Sequence, residues 1–562
     1  MAEKIVSPGV FTKEIDQTFL PSAVADIGAA LIGPTLKGPA LIPTVVTSYS
    51  EFQQIFGDVV PTGSQFQYLT SHTAEQYIRN SNTLTVVRIM DGSYGGASAT
   101  VSASLGEPAA ASGLGDSFKL HTLADGTIMN NRGVTELGYS GSLEGDVPND
   151  FLATTGSNHL LLSGSKHNVR WEVTNRNKNK GTFNLLIRRG DDTHKRKQVL
   201  ETYNNISLDP NTPNYIGKAV GTQFQEMGTD ENNKPFLKLN GDYPNKSKYV
   251  RVSNIMDTVN YLDENGNIRV TASVDSLPGE GSGSYYGTFS GGTDGQSGFD
   301  SLGNQNGSGG IANFYENISD TNTQGFDPDT AAQGQSSYEE ALDLLSNQDE
   351  YDINLILTPG IVGSVHTSIT SKIIDVCEDR ADCFAIIDPV LYGKNVADAT
   401  EQAESRDSNF AAMYWPWIKV PDSQLGVQRW VPPSTVLGGI FAFNDRVAHP
   451  WFAPAGLNRG GIDVAIQAER KLTQADRDTL YDSNVNPIAT FPGQGVTVFG
   501  QKTLQKKASA LDRINVRRLL IRVKKFIASS SRFLVFEQNT AATRRRFLGI
   551  VNPFLETVQS QS

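Results

Sequence analysis

The chain has 562 residues, 38% of them hydrophobic and 19% charged, with 53 glycines; it is too long for one core and predicts three or four domains rich in turns and β structure. Its net charge of −12 argues against general nucleic-acid binding, where a basic domain is expected. The two cysteines, Cys377 and Cys383, have five residues between them, which supports neither a disulfide framework nor a zinc site and makes both expected core residues.

No apolar run of about 18 residues exists to span a bilayer. The opening M-A-E-K-I-V-S-P-G lacks the apolar centre of a signal peptide, so the chain is expected in a cytoplasm. Residues 1–22 hold a short alternating pattern in which Val10, Phe11 and Ile15 are the apolar members. Too short to fold alone, it predicts an arm that adds a strand to another sheet.

Residues 23–91 read as the first part of an α/β core. G-A-A-L-I-G is an apolar strand, S-Y-S-E-F-Q-Q-I-F-G a helix closed by Gly57, the stretch from Phe66 to Asn80 a second helix, and T-L-T-V-V-R-I a buried strand. From Asp91 the pattern changes to short alternating segments between Gly, Asn, Ser and Asp. This predicts an outer β insertion at residues 92–165 and a second β-rich domain at residues 166–287. After Ser336 helices alternate with apolar strands, notably I-N-L-I-L-T-P-G and C-F-A-I-I-D-P. A small, largely parallel layer covered on both faces follows, with two further helices expected from about Pro432 and from Asp463. The fold class is thus α+β multidomain, its α/β core built from N- and C-terminal segments (23–91 and 288–562) with β-rich domains inserted between them.

The C-terminal stretch is predicted as helix, strand, helix. Ser509 and Asp512 have capping-box spacing, and Val516, Leu519, Leu520, Val523, Phe526 and Ile527 share one helical face. Three serines are expected to stop that helix, Phe533 to Phe536 to form a strand, and a second helix to align Phe547, Leu548, Val551, Phe554 and Leu555. Between Lys502 and Arg546 there are 13 Lys or Arg against Asp512 and Glu537, a net of +11 that leaves −23 for the rest of the chain. Between Arg269 and Lys372, by contrast, 102 residues carry no Lys or Arg and 14 acids. Arg513, Arg517, Arg518 and Arg522 are therefore candidates for contacts with a neighbouring subunit or another acidic partner, the alternative being a solvated polar face.

Catalytic patterns are weak. The seven histidines are scattered without the spacing that puts two nitrogens on one metal. Gly307, Gly309 and Ala312 match a dinucleotide fingerprint by letter, yet no strand precedes them. Asp327 and Asp329 lack the other ligands of a calcium loop, and Trp415 and Trp417 beside Pro416 read as core or interface filler. No metal, cofactor or catalytic residue is assigned, and no enzyme is expected.

Several motifs together resemble one family. The opening S-P-G-V, the pair G-P-x-x-x-G-P, the turn E-F-x-x-x-F-G, the strand V-V-R-I, the turn G-G-x-D-G, the segment W-F-A-P-A-G-L-N-R-G, and D-R-I-N-V-R-R-L with F-E-Q-N and F-L-x-x-V stand in the same order in this chain. They are similar to the tail sheath proteins of contractile-tailed bacteriophages. The resemblance implies a structural subunit of the virion tail, assembled in the host cytoplasm into a helical polymer of hexameric rings around a tail tube protein. Baseplate and tail terminator proteins are the further partners it implies, with no direct nucleic acid and no membrane insertion. It also implies contraction that drives the tube through the host envelope. Family members continue past F-L-x-x-V into further strands, so the C-terminal core is expected to lack its last ones. The sheath of a bacterial contractile injection apparatus, or a receptor-binding tail protein, are the alternatives.

Overall fold

The computed structural model describes residues 28–60, 66–90, 92–103, 115–131, 164–192, 196–231, 234–269, 276–282, 287–295 and 334–561. The chain opens with β1 (Gly28–Gly33), β2 (Thr44–Val46), α1 (Tyr49–Phe56), β3 (Val59–Val60), β4 (Phe66–Gln67), α2 (Leu69–Ile78) and β5 (Leu84–Arg88). Each of the two core strands expected here, β1 and β5, is buried at every position. Ser48 caps α1 by accepting the Glu51 N–H at 3.2 Å. Gly57, at φ 74°, ends the helix with its N–H on the Gln53 carbonyl, a backbone conformation that glycine adopts without strain.

The middle of the chain is β structure: β6 (Tyr94–Ser102), β7 (Asp116–Asp125), β8 (Val169–Asn177), β9 (Thr182–Arg189), β10 (Val199–Ser207), a helical turn α3 (Ile216–Ala219), β11 (Phe224–Thr229), β12 (Pro235–Asn240), β13 (Val250–Ser253) and β14 (Thr293–Asp294). These strands form sheets ordered β13-β7-β6-β14, β10-β9-β8 and β11-β12. The pairing of β7 with β13 runs from Val250 opposite Thr122 to Ser253 opposite Lys119. It crosses the boundary expected at 165/166, and Phe118 and Leu120 share one apolar cluster with Trp171, Phe183, Leu185 and Val252. β6 and β7 therefore find the cover for their apolar side chains on β8, β9 and β13, on the other side of that boundary.

The remainder comprises α4 (Gln335–Leu345), β15 (Ile353–Val362), α5 (Thr367–Arg380), β16 (Phe384–Asp388), α6 (Val396–Glu404), β17 (Ala411–Trp415), β18 (Ile418–Asp422), β19 (Val427–Val431), α7 (Ser434–Val447), β20 (Gln467–Ala468), α8 (Gln474–Asp482), β21 (Val485–Phe491), β22 (Gly495–Val498), α9 (Ile514–Ser531) and α10 (Ala541–Gln561). One eight-stranded sheet, ordered β2-β5-β1-β15-β16-β17-β21-β22, joins the two ends of the chain. Its six inner strands run parallel, and β2 and β22 close it with antiparallel pairs.

Alternation along the strands feeds two clusters. Leu31, Leu357, Phe384 and Ile386 meet Phe52, Tyr77, Leu437 and Phe441, which places α1, α2 and α7 on one face. Ile32, Ile356, Ala385 and Ile387 meet Tyr338, Leu342, Ile373 and Cys377, which places α4 and α5 on the other. Cys377, Cys383 and Trp415 are all buried in this second cluster, and the Trp417 indole donates to the Val390 carbonyl at 2.9 Å. The architecture is α+β, with an α/β core assembled from both ends and β-rich segments inserted between them.

Two elements differ from expectation. The helix placed from Asp463 begins at Gln474, where Thr473 and Asp476 form a reciprocal capping box; residues 463–473 hold turns and β20. The strand placed at Phe533 to Phe536 is a 3-10 turn, Arg532–Leu534, between two helices. α9 ends at the third of the expected serines, Ser531, and in its last turn Ser529 and Ser531 turn their hydroxyls back onto the Phe526 and Ala528 carbonyls at 3.0 and 3.2 Å. Residues 28–521 form one compact unit and residues 522–561 belong to a second. Within the second, Phe526 of α9 stacks on Phe554 of α10 with ring centroids 3.9 Å apart.

Candidate assembly surfaces

Ser509 accepts the Leu511 N–H at 3.1 Å, but the turn it caps is the 3-10 segment Ala510–Asp512. The helix proper then starts at Ile514, and its buried face is Ile514, Arg517, Arg518 and Ile521. This is not the apolar face that the spacing predicts. Leu520 is 37% exposed and Val516 and Leu519 are half-buried. Two arginines occupy the core-facing positions in their place.

Both find unusual accommodation. The Arg517 guanidinium lies 3.5 Å from the Phe410 ring centre, and burial pushes its pKa down to about 10, partly offset by Glu378. Arg518 pairs with Asp445 at 2.5 Å and lies over the Phe441 ring at 4.8 Å. Flat, weakly hydrated guanidinium groups are suited to such stacking, whereas an ammonium is not. Arg513 sits over Tyr481 and donates to its hydroxyl at 3.2 Å, and Arg522 is half-buried. The structure thus divides the expected basic surface: Arg517 and Arg518 hold α9 in place, while Arg513 and Arg522 keep access to solvent. Val10, Phe11 and Ile15 lie outside the described residues.

The acidic stretch is partly consumed as well. Asp343 pairs with Lys372 at 2.6 Å, Glu280 accepts the Arg176 N–H at 2.7 Å, and Asp294 accepts the Thr127 N–H at 2.8 Å. Asp327, Asp329 and the glycines at 307 and 309 lie outside the described residues.

Sheet edges differ from one another. The outer side of β22 is occupied by residues 456–462 through Gly456 N–H to Val498 O, Val498 N–H to Gly460 O and Ile462 N–H to Val496 O, at 2.8, 2.8 and 2.9 Å. Among the described residues β2 pairs with β5 alone, and Val45 on it is 54% exposed. An unpaired edge is a template for another strand.

Among the described residues the largest apolar exposure belongs to the turn between α9 and α10. Phe533, Val535 and Phe536 are 64%, 67% and 101% exposed. A cluster of such side chains at one hairpin tip marks an interaction surface, where singly exposed residues would not. The run F-L-V-F was visible in the sequence, but an apolar four-residue run there reads as strand; the missing signal is that no strand partner accompanies it.

Buried polar groups elsewhere act as struts. Asp388, at the end of β16, is fully buried and accepts the Ser434 N–H and hydroxyl at 2.9 and 2.5 Å, fastening α7 to the sheet; burial pushes its pKa up to about 7. His72 on α2 is 3.6 Å from Asp422, which pairs with Arg429 at 3.0 Å. Burial pushes His72 down to about 4. Sealed from solvent, these groups tie elements together and offer nothing to a substrate.

Residues 334–504, from α4 through β22, match the family model described as the phage tail sheath protein central domain. The chain is 31% identical over 248 residues to the tail sheath protein of Vibrio phage KVP40, covering 39% of this chain and 36% of that protein. With the tail sheath protein of Enterobacteria phage T4 it shares 32% identity over 228 residues, covering 37% and 35%. The chain thus spans little more than a third of the length of the curated relatives it matches. The crystal structure of a sheath tail protein from Listeria innocua aligns with 96% of this chain and 86% of its own at a TM-score of 0.51 and 10% identity, a likeness of fold. The segment that supplies most of the eight-stranded sheet is thus similar to the central domain of phage tail sheath proteins.

Proposed function

We propose that this chain is a structural subunit of a contractile phage tail sheath. It polymerises around a tail tube protein, between baseplate and tail terminator, and contracts to drive the tube through the host envelope. The match of residues 334–504 to the sheath central domain carries this reading. The exposed tip at Phe533, Val535 and Phe536 and the edge of β2, which has no second partner strand among the described residues, suit a protein whose stable state is a polymer, because each leaves surface or backbone groups that a neighbour satisfies. The role is non-enzymatic, and the place of work is the virion tail, after assembly in the host cytoplasm.

Negative-stain microscopy of the protein concentrated with and without its tail tube protein tests the proposal. Long hollow cylinders are expected. Discrete trimers under all conditions would point instead to a receptor-binding tail protein.

A further inference from the structure

A cavity of about 670 Å³ opens where the segment after β1 meets the inserted β strands, within the range typical of small-molecule sites. Five stretches of chain that are remote in sequence wall it: Lys37 after β1, His121 on β7, His167 before β8, Phe224 on β11 and Arg251 on β13. The chemistry of these walls is lopsided.

Lys37 is buried at 8% exposure, and its ammonium has a single hydrogen bond among the described residues, to the His167 carbonyl at 3.2 Å. Burial pushes it down to about 8, with Asp58 pulling the other way and Lys166 adding to the fall. His167 is 5% exposed, and its Nε2 is buried without a hydrogen-bond partner among the described residues. Arg251 lies against the Phe224 ring, 4.1 Å from its centre, with no hydrogen-bonded carboxylate among the described residues.

The acids of the cavity are already engaged. Asp125 accepts the Ala40 N–H at 3.0 Å, and Glu51 accepts both the N–H and hydroxyl of Thr47 at 2.8 Å. What remains unanswered in the cavity is therefore donor and cationic capacity. The rest of the wall combines the apolar side chains of Ile42, Met129, Val169 and Leu239 with the neutral polar Gln54, Gln223, Gln225 and Asn245 and one more cation, Lys248.

We infer that this cavity binds a small organic anion, its phosphate or carboxylate held by Lys37, His167 and Arg251 and its apolar body against Phe224 and Leu239. The bound anion supplies the acceptor that Lys37 and His167 lack, and it ties the core segment to the inserted strands. Protonation is coupled to this event. Burial holds His121 down to about 4 and His167 down to about 3, in each case helped by neighbouring cations. An anion beside them raises both, so binding takes up protons as pH falls.

The test is isothermal titration of the full chain with phenyl phosphate, benzoate and inorganic phosphate, in two buffers of different ionisation enthalpy, alongside a melting curve. Expected are saturable binding of phenyl phosphate or benzoate with net proton uptake below pH 6, and a raised Tm. Phenyl phosphate preferred over benzoate identifies a phosphate monoester as the ligand, and the reverse preference a carboxylate. Lys37→Met and Arg251→Gln should each weaken binding about tenfold, the second variant guarding against loss of fold in the first. Equal affinity for inorganic phosphate and phenyl phosphate overturns the role of the apolar wall. No binding by any probe, or unchanged binding by both folded variants, overturns the site.

Discussion

The unit of residues 28–521 and the helical hairpin of residues 522–561 solve opposite problems with similar residues. In the first, arginine, aspartate and histidine are drawn inside and matched: Arg518 to Asp445, Asp422 to Arg429, Asp388 to the first turn of α7. In the second, phenylalanine and valine are left outside, with Phe536 wholly exposed. Buried ionic groups add little net stability but are costly to break, because the abandoned partner stays desolvated. Exposed apolar groups cost a folded monomer little and are a source of association energy when a neighbour covers them. One unit is built to be rigid and the other to be joined, and substitutions in each should separate the two properties.

The sharpest break comes from charge reversal in the buried face of α9. Arg517→Glu or Arg518→Glu places a carboxylate against Phe410, or against Phe441 and Asp445. Each change should cost about 3–5 kcal/mol, read as a fall in the urea midpoint of the monomer. A variant as stable as the parent would mean that these arginines lie at a surface after all. This outcome inverts what the sequence suggests, since three closely spaced arginines in a basic stretch read as a solvated or docking face.

How far the sequence could be read follows from the same contrast. Strands such as β1, β5 and β16 are runs dominated by apolar residues, so their burial on both faces was legible. That both ends of the chain contribute to one α/β core followed from the resemblance and from alternating helix and strand, while the order of the eight strands did not. The buried face of α9 was not legible, because helical periodicity assigns the core to Val516, Leu519 and Leu520 and has no means of seeing Phe410 and Asp445 waiting for two guanidinium groups. The boundary near residue 165 was missed for a related reason: local texture is the same on both sides, and pairing of β7 with β13 is a long-range event. The turn at Phe533 was misread because apolar runs of four residues do not distinguish strand from an exposed hairpin tip.

Close packing of α7 on α2 gives a second, smaller effect. A Cβ added at Gly439 would lie 2.6 Å from the Gln76 carbonyl oxygen, a backbone atom that cannot step aside. Gly439→Ala should therefore destabilise by about 1–3 kcal/mol, although alanine favours helix elsewhere. A thermal midpoint equal to or above that of the parent would show that the two helices can separate without penalty.

Asp388 makes stability of the core depend on pH in an unusual direction. Its carboxyl is raised from 3.8 to about 7 by burial, so the folded state holds a proton that the unfolded state releases. That contribution is fully present below about pH 4 and is lost as pH rises to about 7, at up to about 1.4 kcal/mol per pH unit. Asp388→Asn removes the titration while keeping an acceptor for Ser434. The stability difference between variant and parent should shift in favour of the variant between pH 4 and 7 and level off above. A difference independent of pH would place the ionised carboxylate in the native helix cap throughout.

The hairpin tip should show the smallest change in folding and the largest in assembly. Phe533, Val535 and Phe536 already face water in the monomer, so Phe536→Asp, alone or with Phe533→Ser, removes no packing that the fold depends on. Substitutions at such positions usually stay within about 0.5 kcal/mol, and the urea midpoint should be unchanged. In a helical polymer the same contact recurs in every subunit, so one lost apolar anchor is multiplied along the cylinder. Sedimentation of concentrated protein should then show the parent in large particles and the variant as monomer. Cylinders of normal length from Phe536→Asp would remove the tip from the assembly surface and leave the open edge of β2, tested by Val45→Pro, as the remaining point of attachment.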